Sequence, residues 1–208
     1  MSDPRTGIKP VIGLVGAIGA GKSTAAAAFT ARGGVIVDAD AIGHSALEQP
    51  EIRQKVLDRW GSRGNLLKSD NRLDRRAIAG IVFADPAERT ALEAIVFPYI
   101  GNRALQEIQA AQANPAAKFV VVDAAVMLEA GWHDVCHRLV YVDAPREIRL
   151  ARLAARSGWT DADLAARESA QWPAEKKLKQ ASAVIVNDGS REKVQEQVDR
   201  LLTEWKLL

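Results

Sequence analysis

Five short runs of apolar, mostly β-branched residues constrain this chain more than anything else in it: Val11 to Val15, Val35-Ile36-Val37, Phe119-Val120-Val121-Val122, Leu139-Val140-Tyr141-Val142 and Val184-Ile185-Val186. They are continuous rather than alternating, as strands covered on both faces of a parallel sheet must be. Helical stretches separate them, so the chain reads as α/β, a doubly wound five-stranded parallel sheet. The closing segment carries Val194, Val198, Leu201, Leu202 and Trp205 at helical spacing, one apolar face for packing on that sheet.

Directly after the first run, Gly16-Ala17-Ile18-Gly19-Ala20-Gly21-Lys22-Ser23 spells G-x-x-x-x-G-K-S, and Thr24-Ala25-Ala26-Ala27-Ala28-Phe29 continues it as a helix rich in the best helix former. Strand, glycine loop and helix is the context in which a phosphate-binding P-loop works. Glycines let consecutive amides point inward at phosphate oxygens, with the positive end of the helix dipole behind them. Gly19, Ala20, Gly21 and Thr24 belong to that cradle. Lys22 is placed to reach the β- and γ-phosphates, and Ser23 to set its hydroxyl on the Mg²⁺ that accompanies ATP.

Between the second and third runs lie some eighty residues with no strand of their own. A crossover needs only about a dozen. Residues 49–113 therefore read as an inserted helical domain, with helices over Glu51 to Trp60, over Asp74 to Phe83 and from Pro86 onward, the last interrupted by Pro98. Gly33-Gly34 and Asn114-Pro115 mark helix ends. Residues 8–48, 114–156 and 174–208 form the core, and a small insertion at 157–173 reads as a lid.

Ligands of open α/β sheets bind outside the carboxyl ends of the strands, and three runs end in aspartate: Asp38, Asp123 and Asp143. Asp123 and Asp143 each fit the loose pattern of an apolar strand closing on a magnesium-binding acid, and strand order is needed to choose between them. Asp38 and Asp40 stand two apart, so a continuing strand points both toward the ligand; one carboxylate orients a partner or metal-bound water and the other accepts a proton. The competing reading of Asp40 is the N-cap of a helix over Ala41 to Leu47. Arg152 and Arg156, four apart on one helix face beside the small insertion, suit clamping phosphates.

Other readings close quickly. The chain has 208 residues, 48% hydrophobic and 26% charged, the composition of a globular protein. Its charge is only +2, with the basic excess local to Arg63–Arg76 and Arg146–Arg156; each cluster is either a phosphate contact or a solvated face. The five tryptophans form no basic, base-stacking stripe, so no nucleic-acid partner is expected. The polar Met1–Gly7 has no signal-peptide core and no segment is apolar enough to span a membrane. One cysteine, Cys136, excludes an internal disulfide and a thiolate metal site, which fits a cytoplasmic setting; His44, His133 and His137 form no ligand group. Asp58-Arg59-Trp60-Gly61 spells D-x-x-G, but it follows a helical stretch and no apolar strand precedes it, and N-K-x-D is absent, against a switch GTPase. A small-molecule kinase is favoured; oligomeric state is not legible.

From Ile12 to about Leu202 the chain resembles the dephospho-coenzyme A kinases. The resemblance rests on the P-loop, Val37-Asp38-Ala39-Asp40, Leu73-Asp74-Arg75 with Val82-Phe83, Leu128-Glu129, Arg152-Leu153 with Arg156, Arg167 with Gln171, and Val184-Ile185-Val186-Asn187-Asp188-Gly189. It implies a nucleoside-monophosphate-kinase-like fold with an acceptor domain and a lid. It also implies transfer of the γ-phosphoryl of ATP to the 3′-hydroxyl of dephospho-coenzyme A. Carried over, Asp40 is the general base, Lys22 and Arg152 complete the catalytic set, and Arg152 and Arg156 are lid-side phosphate ligands. Asn187 lies near the adenine, and Asp38, Arg75 and Glu129 fall on the acceptor side. The chain departs from the family at Phe97-Pro98, where His-Pro is usual, and at Ala125-Val126-Met127, where Pro-Leu-Leu is usual. A kinase of another small acceptor, such as a nucleoside monophosphate, and a nucleotide-binding regulatory protein are the alternatives.

Overall fold

Residues 8–208 are described by the computed structural model, and the signal-peptide reading of Met1–Gly7 lies outside them. Five strands, β1 (Val11–Gly16), β2 (Gly34–Asp38), β3 (Phe119–Asp123), β4 (Arg138–Asp143) and β5 (Ala183–Val186), form one sheet in the order β2-β3-β1-β4-β5. Every pairing is parallel. Nine α-helices complete the described residues: α1 (Lys22–Thr30), α2 (Ala39–Ala46), α3 (Pro50–Trp60), α4 (Arg75–Ala84), α5 (Pro86–Ala113), α6 (Arg146–Ser157), α7 (Asp161–Glu168), α8 (Ala174–Gln180) and α9 (Arg191–Glu204). None of them is long and apolar enough to cross a membrane.

The chain divides into two compact units, one running through Asp38 and resuming at Glu107–Leu208, the other Ala39–Gln106. The first contains the whole sheet. Its central strand β1 is buried along its length, and β3 and β4 on either side are buried except at their ends. The two edge strands depart from the expectation of burial on both faces, because only one face of each meets the core; Ile36, Val184 and Val186 are exposed. Gln197 of α9 caps the β5 edge by accepting from the Val186 amide at 2.9 Å and donating to its carbonyl at 2.8 Å, which blunts an otherwise open strand.

Helices α1 and α9 cover one face. Phe29 and Phe119 meet edge to face at 6.1 Å between ring centres, and Val194, Val198 and Leu202 are buried with them, as the helical spacing predicts. Arg32 at the end of α1 binds Asp199 of α9 through two hydrogen bonds of 2.6 and 2.8 Å.

The second unit is built of helices, joined between residues 64 and 74 by a turn closed with a single antiparallel bridge between Leu67 and Leu73. Asp74 caps α4 by accepting from the Arg76 amide at 2.8 Å, and Pro50 opens α3 at a position where its missing N–H costs nothing. The expected interruption at Pro98 does not occur: α5 runs unbroken through it for 28 residues. One proline forfeits a single amide bond, and a helix this long has many others to hold its course.

Candidate active site

The loop between β1 and α1 takes the form its glycines require. Gly19 and Gly21 have φ of 78° and 89°, the left-handed region that favours glycine. A Cβ on Gly21 would also sit 2.1 Å from the Asn187 amide nitrogen, so no other residue fits there. Gly21 is the N-cap of α1 with no side-chain cap, the first turn carries no acid, and the Thr24 amide turns inward onto the Gly21 carbonyl at 2.9 Å, so the helix entrance suits an anionic ligand.

Side chains from the sheet's carboxyl edge close around this loop. Lys22 Nζ lies 3.6 Å from Asp123 Oδ1, both side chains about 15% exposed. Asp123 stands in register with Leu14 of β1 on one side and with Asp38 of β2 on the other, so two carboxylates end neighbouring strands beside the loop. Strand order alone does not choose between Asp123 and Asp143, because β3 and β4 both flank β1. The contact with Lys22 favours Asp123.

Asn187, at the end of β5, is buried and donates to the Ala20 carbonyl at 2.8 Å. Arg152 of α6 donates to the Asn187 carbonyl at 2.9 Å and its side-chain oxygen at 3.3 Å, and reaches the Ala20 carbonyl at 3.4 Å. Both therefore brace the loop's backbone as well as lining it. Arg156, one turn on, is exposed.

Three residues of this neighbourhood are not singled out by the sequence. Arg149 is 8% exposed and grips the loop from behind, donating to the Ile18 carbonyl at 3.0 Å, the Ala144 carbonyl at 3.1 Å and Glu168 at 2.6 Å. Glu168 closes α7 within the 157–173 insertion, so this pair ties that segment to the phosphate loop. Lys177 is 2% exposed, its charge met by Glu129 at 2.9 Å, Gln171 at 2.9 Å and the Ala125 carbonyl at 3.4 Å. Glu129, expected on the acceptor side, also accepts from the Trp172 amide at 2.8 Å. An arginine in an arginine-rich helix and a lysine in Lys176-Lys177-Leu178-Lys179 look solvated in sequence; only the fold reveals their partners.

Asp38 and Asp40 part company. The helix begins at Ala39, so the extended backbone on which the shared direction of the two carboxylates depended ends at Asp38. Nor is Asp40 an N-cap: it lies inside the first turn of α2, where a carboxylate is favoured by the helix dipole. Both are exposed. Asp40 opens the second unit, as Arg75 belongs to it, with Arg75 donating to the His44 carbonyl at 3.0 Å.

No group of three or more acids, histidines or cysteines able to hold a metal ion occurs among the described residues. His137 instead accepts from the Val11 amide at 3.0 Å. Cys136, packed on Met127, has its thiol pushed up to about 12 by burial, which removes it from nucleophilic chemistry. The oxygen donors at the loop, the Ser23 hydroxyl and the Asp123 carboxylate, are hard ligands of the kind Mg²⁺ uses when phosphates and water supply the rest.

A family model described as dephospho-CoA kinase matches residues 10–193. A protein named dephospho-CoA kinase from Thermus thermophilus is 37% identical over 93% of this chain and 91% of its own length. One of the same name from Deinococcus radiodurans is 35% identical over 94% and 92%. Among solved structures, one from Thermus thermophilus superposes with a TM-score of 0.79 at 36% identity, covering 95% of this chain and 98% of the other. A shikimate kinase from Acinetobacter baumannii shares the fold, at a TM-score of 0.54 and 18% identity over 96% of both chains.

Proposed function

This chain belongs to the dephospho-CoA kinase family, and we infer that it transfers the γ-phosphoryl of ATP to the 3′-hydroxyl of dephospho-coenzyme A, giving coenzyme A and ADP. The observation that carries the reading is the glycine loop fixed between Lys22–Asp123 and Asn187–Arg152 at the carboxyl edge of a parallel sheet. That arrangement is built for a nucleoside triphosphate.

In this reading Gly19, Ala20, Gly21 and Thr24 form the cradle that receives the phosphates, and Asn187 borders the nucleotide base. Asp40 accepts the proton of the 3′-hydroxyl as that oxygen bonds to the γ-phosphorus, and the bridging oxygen leaves with ADP. Lys22 and Arg152, with Arg156 from the lid side, offset the charge on the transferred group. Ser23 and Asp123 would hold Mg²⁺, which supplies further neutralisation of the phosphates when bound. Asp38, Arg75 and Glu129 serve the acceptor. The same proposal assigns residues 49–113 to acceptor binding and 157–173 to the lid, and places the enzyme in the cytoplasm, where ATP is available.

The test is ADP release from Mg·ATP with dephospho-coenzyme A, AMP, CMP or pantetheine as acceptor, with the new phosphate located on the product. Stimulation by dephospho-coenzyme A and a 3′-phosphate are expected. Turnover with another acceptor alone would keep the chemistry and overturn the substrate. No acceptor-dependent turnover would favour a nucleotide-binding regulator.

A further inference from the structure

The second unit holds a concave pocket of about 580 Å³ lined by Leu47, Glu48 and Pro50, by Arg53 of α3, by the Lys68–Leu73 turn and by Arg75. Four cations face two acids there. The ion pairs are loose, Arg72 with Asp70 at 3.6 Å and Arg75 with Glu48 at 3.9 Å, and all four of these side chains are 47% exposed or more. Arg53 spends one N–H on the neutral Asn71 side chain at 3.0 Å, while its Nε is buried without a hydrogen-bond partner. The pocket is left with uncompensated positive charge.

A second basic group in the same unit shows what a structural cluster looks like. Arg59 and Arg63 both close on Glu88, at 2.9 and 2.6 Å, and Trp60 Nε1 donates to it at 2.9 Å. Glu88 is 6% exposed, and both guanidinium groups are committed to this one buried carboxylate at hydrogen-bond distance. Among the described residues no buried carboxylate gathers Arg53, Lys68 and Arg72 in this way; Arg72 meets only the exposed Asp70, at 3.6 Å. The turn that carries the last two is nonetheless well made: the Lys68 amide donates to the Arg72 carbonyl at 2.8 Å, and Asn71 takes a φ of 63° between them. A preorganised turn with surplus cations is a site for an anion with several oxygens.

Resting on the function proposed above, we propose that this pocket takes the diphosphate of the acceptor, with Arg53, Lys68 and Arg72 as the residues that recognise it. Helix α2 supplies the spacing. Asp40 lies in its first turn and Leu47-Glu48 follow its last, about 11 Å along the axis at 1.5 Å per residue. The reacting hydroxyl and the diphosphate, separated only by a ribose and its 5′-methylene, lie closer together than that, and the long side chains of Arg53, Lys68 and Arg72 supply the remaining reach. Arg75, hydrogen-bonded to the His44 carbonyl at 3.0 Å, joins the pocket to the same helix.

The experiment compares the wild-type enzyme with Lys68→Gln/Arg72→Gln and with the charge-keeping Lys68→Arg/Arg72→Lys. Dephospho-coenzyme A and adenosine, which has a 3′-hydroxyl and no diphosphate, serve as acceptors. The neutral variant should raise KM for dephospho-coenzyme A roughly 10- to 100-fold, the loss expected of two charge-assisted contacts, with KM for ATP unchanged. Its turnover of adenosine should match that of wild type, and the charge-keeping variant should recover most of the affinity. An unchanged KM for dephospho-coenzyme A in an active, folded variant would overturn the pocket assignment. Equal losses with both acceptors would do the same, since they would reflect a structural defect. A wild-type enzyme inactive on dephospho-coenzyme A would instead overturn the function on which the assignment rests.

Discussion

The arginines of α6 and those around the second unit's pocket have the same chemistry and opposite circumstances. In α6, Arg146 pairs with Asp161 and Glu168, Arg149 with Glu168 and two carbonyls, and Arg152 with Asn187 and Ala20. These side chains are engaged in holding a loop in a shape that glycine alone leaves too free. Around the pocket, ion pairs of 3.6 and 3.9 Å leave the cations available. A basic cluster in sequence is thus a question about partners. Where carboxylates and carbonyls close on it, it organises backbone; where they do not, it recognises an anion.

The contrast can be broken or sharpened by substitution. Asp40→Asn should have the largest effect, lowering kcat roughly 10²- to 10⁴-fold, the range for a general base, with KM for ATP little changed. Unaltered kcat would reduce Asp40 to a helix-terminal charge. Arg149→Met should come next. It removes no proposed substrate contact, yet it frees the Ile18 carbonyl and leaves Glu168 only its 3.6 Å contact with Arg146, so kcat/KM for ATP should fall about 100-fold through loss of positioning. Stability should fall by about 2 kcal/mol, measured by urea titration. If only stability changed, the loop would keep its shape without its arginine brace.

Arg156→Ala should separate the two roles within α6 itself. Because the side chain is exposed, stability should move by less than about 0.5 kcal/mol, while KM for ATP rises roughly tenfold if the residue contacts phosphate from the lid side. A fall in stability without a kinetic effect would reverse the assignment.

Glu88→Gln carries the smallest expected effect on turnover and reports on structure alone. Hydrogen bonds from Trp60, and then from Arg59 and Arg63, hold the Glu88 carboxyl below the usual range. The unfolded chain therefore binds this proton more readily than the folded one. The contribution is fully present above the ordinary carboxylate range and is lost as pH falls through the lowered folded value. Wild-type Tm should decline on acidification more than that of Glu88→Gln, with the ATP site unaffected at neutral pH. Parallel declines would deny Glu88 this role.

Much of the molecule was legible beforehand, for reasons that differ from residue to residue. The runs at Val11, Phe119 and Leu139 read as strands covered on both faces, as they are, and a glycine loop between strand and helix reads as an anion cradle; the same reading of the other two runs misses that they lie at the edges. What sequence could not supply was juxtaposition. Asp123 and Asp143 end strands on opposite sides of β1, and it is the 3.6 Å approach of Lys22 that distinguishes them. Glu168 meets Arg149 across 19 residues, a spacing no helix or strand period encodes. Lys177 sits among other lysines yet is buried, because Glu129 and Gln171 arrive from elsewhere. Local propensity erred where context prevailed: α2 starts directly after β2, so the strand does not continue to Asp40, and α5 passes through Pro98.

The central claim is a division of labour, with ATP held at the glycine loop and the acceptor's diphosphate at the pocket of the second unit. Equilibrium binding of ATP and of dephospho-coenzyme A, each measured alone by calorimetry on Lys22→Ala and on Lys68→Gln/Arg72→Gln, tests it most directly. The account predicts that Lys22→Ala weakens ATP and keeps dephospho-coenzyme A, and that the double variant does the reverse. Loss of both ligands in either variant, or of the same ligand in both, would contradict it.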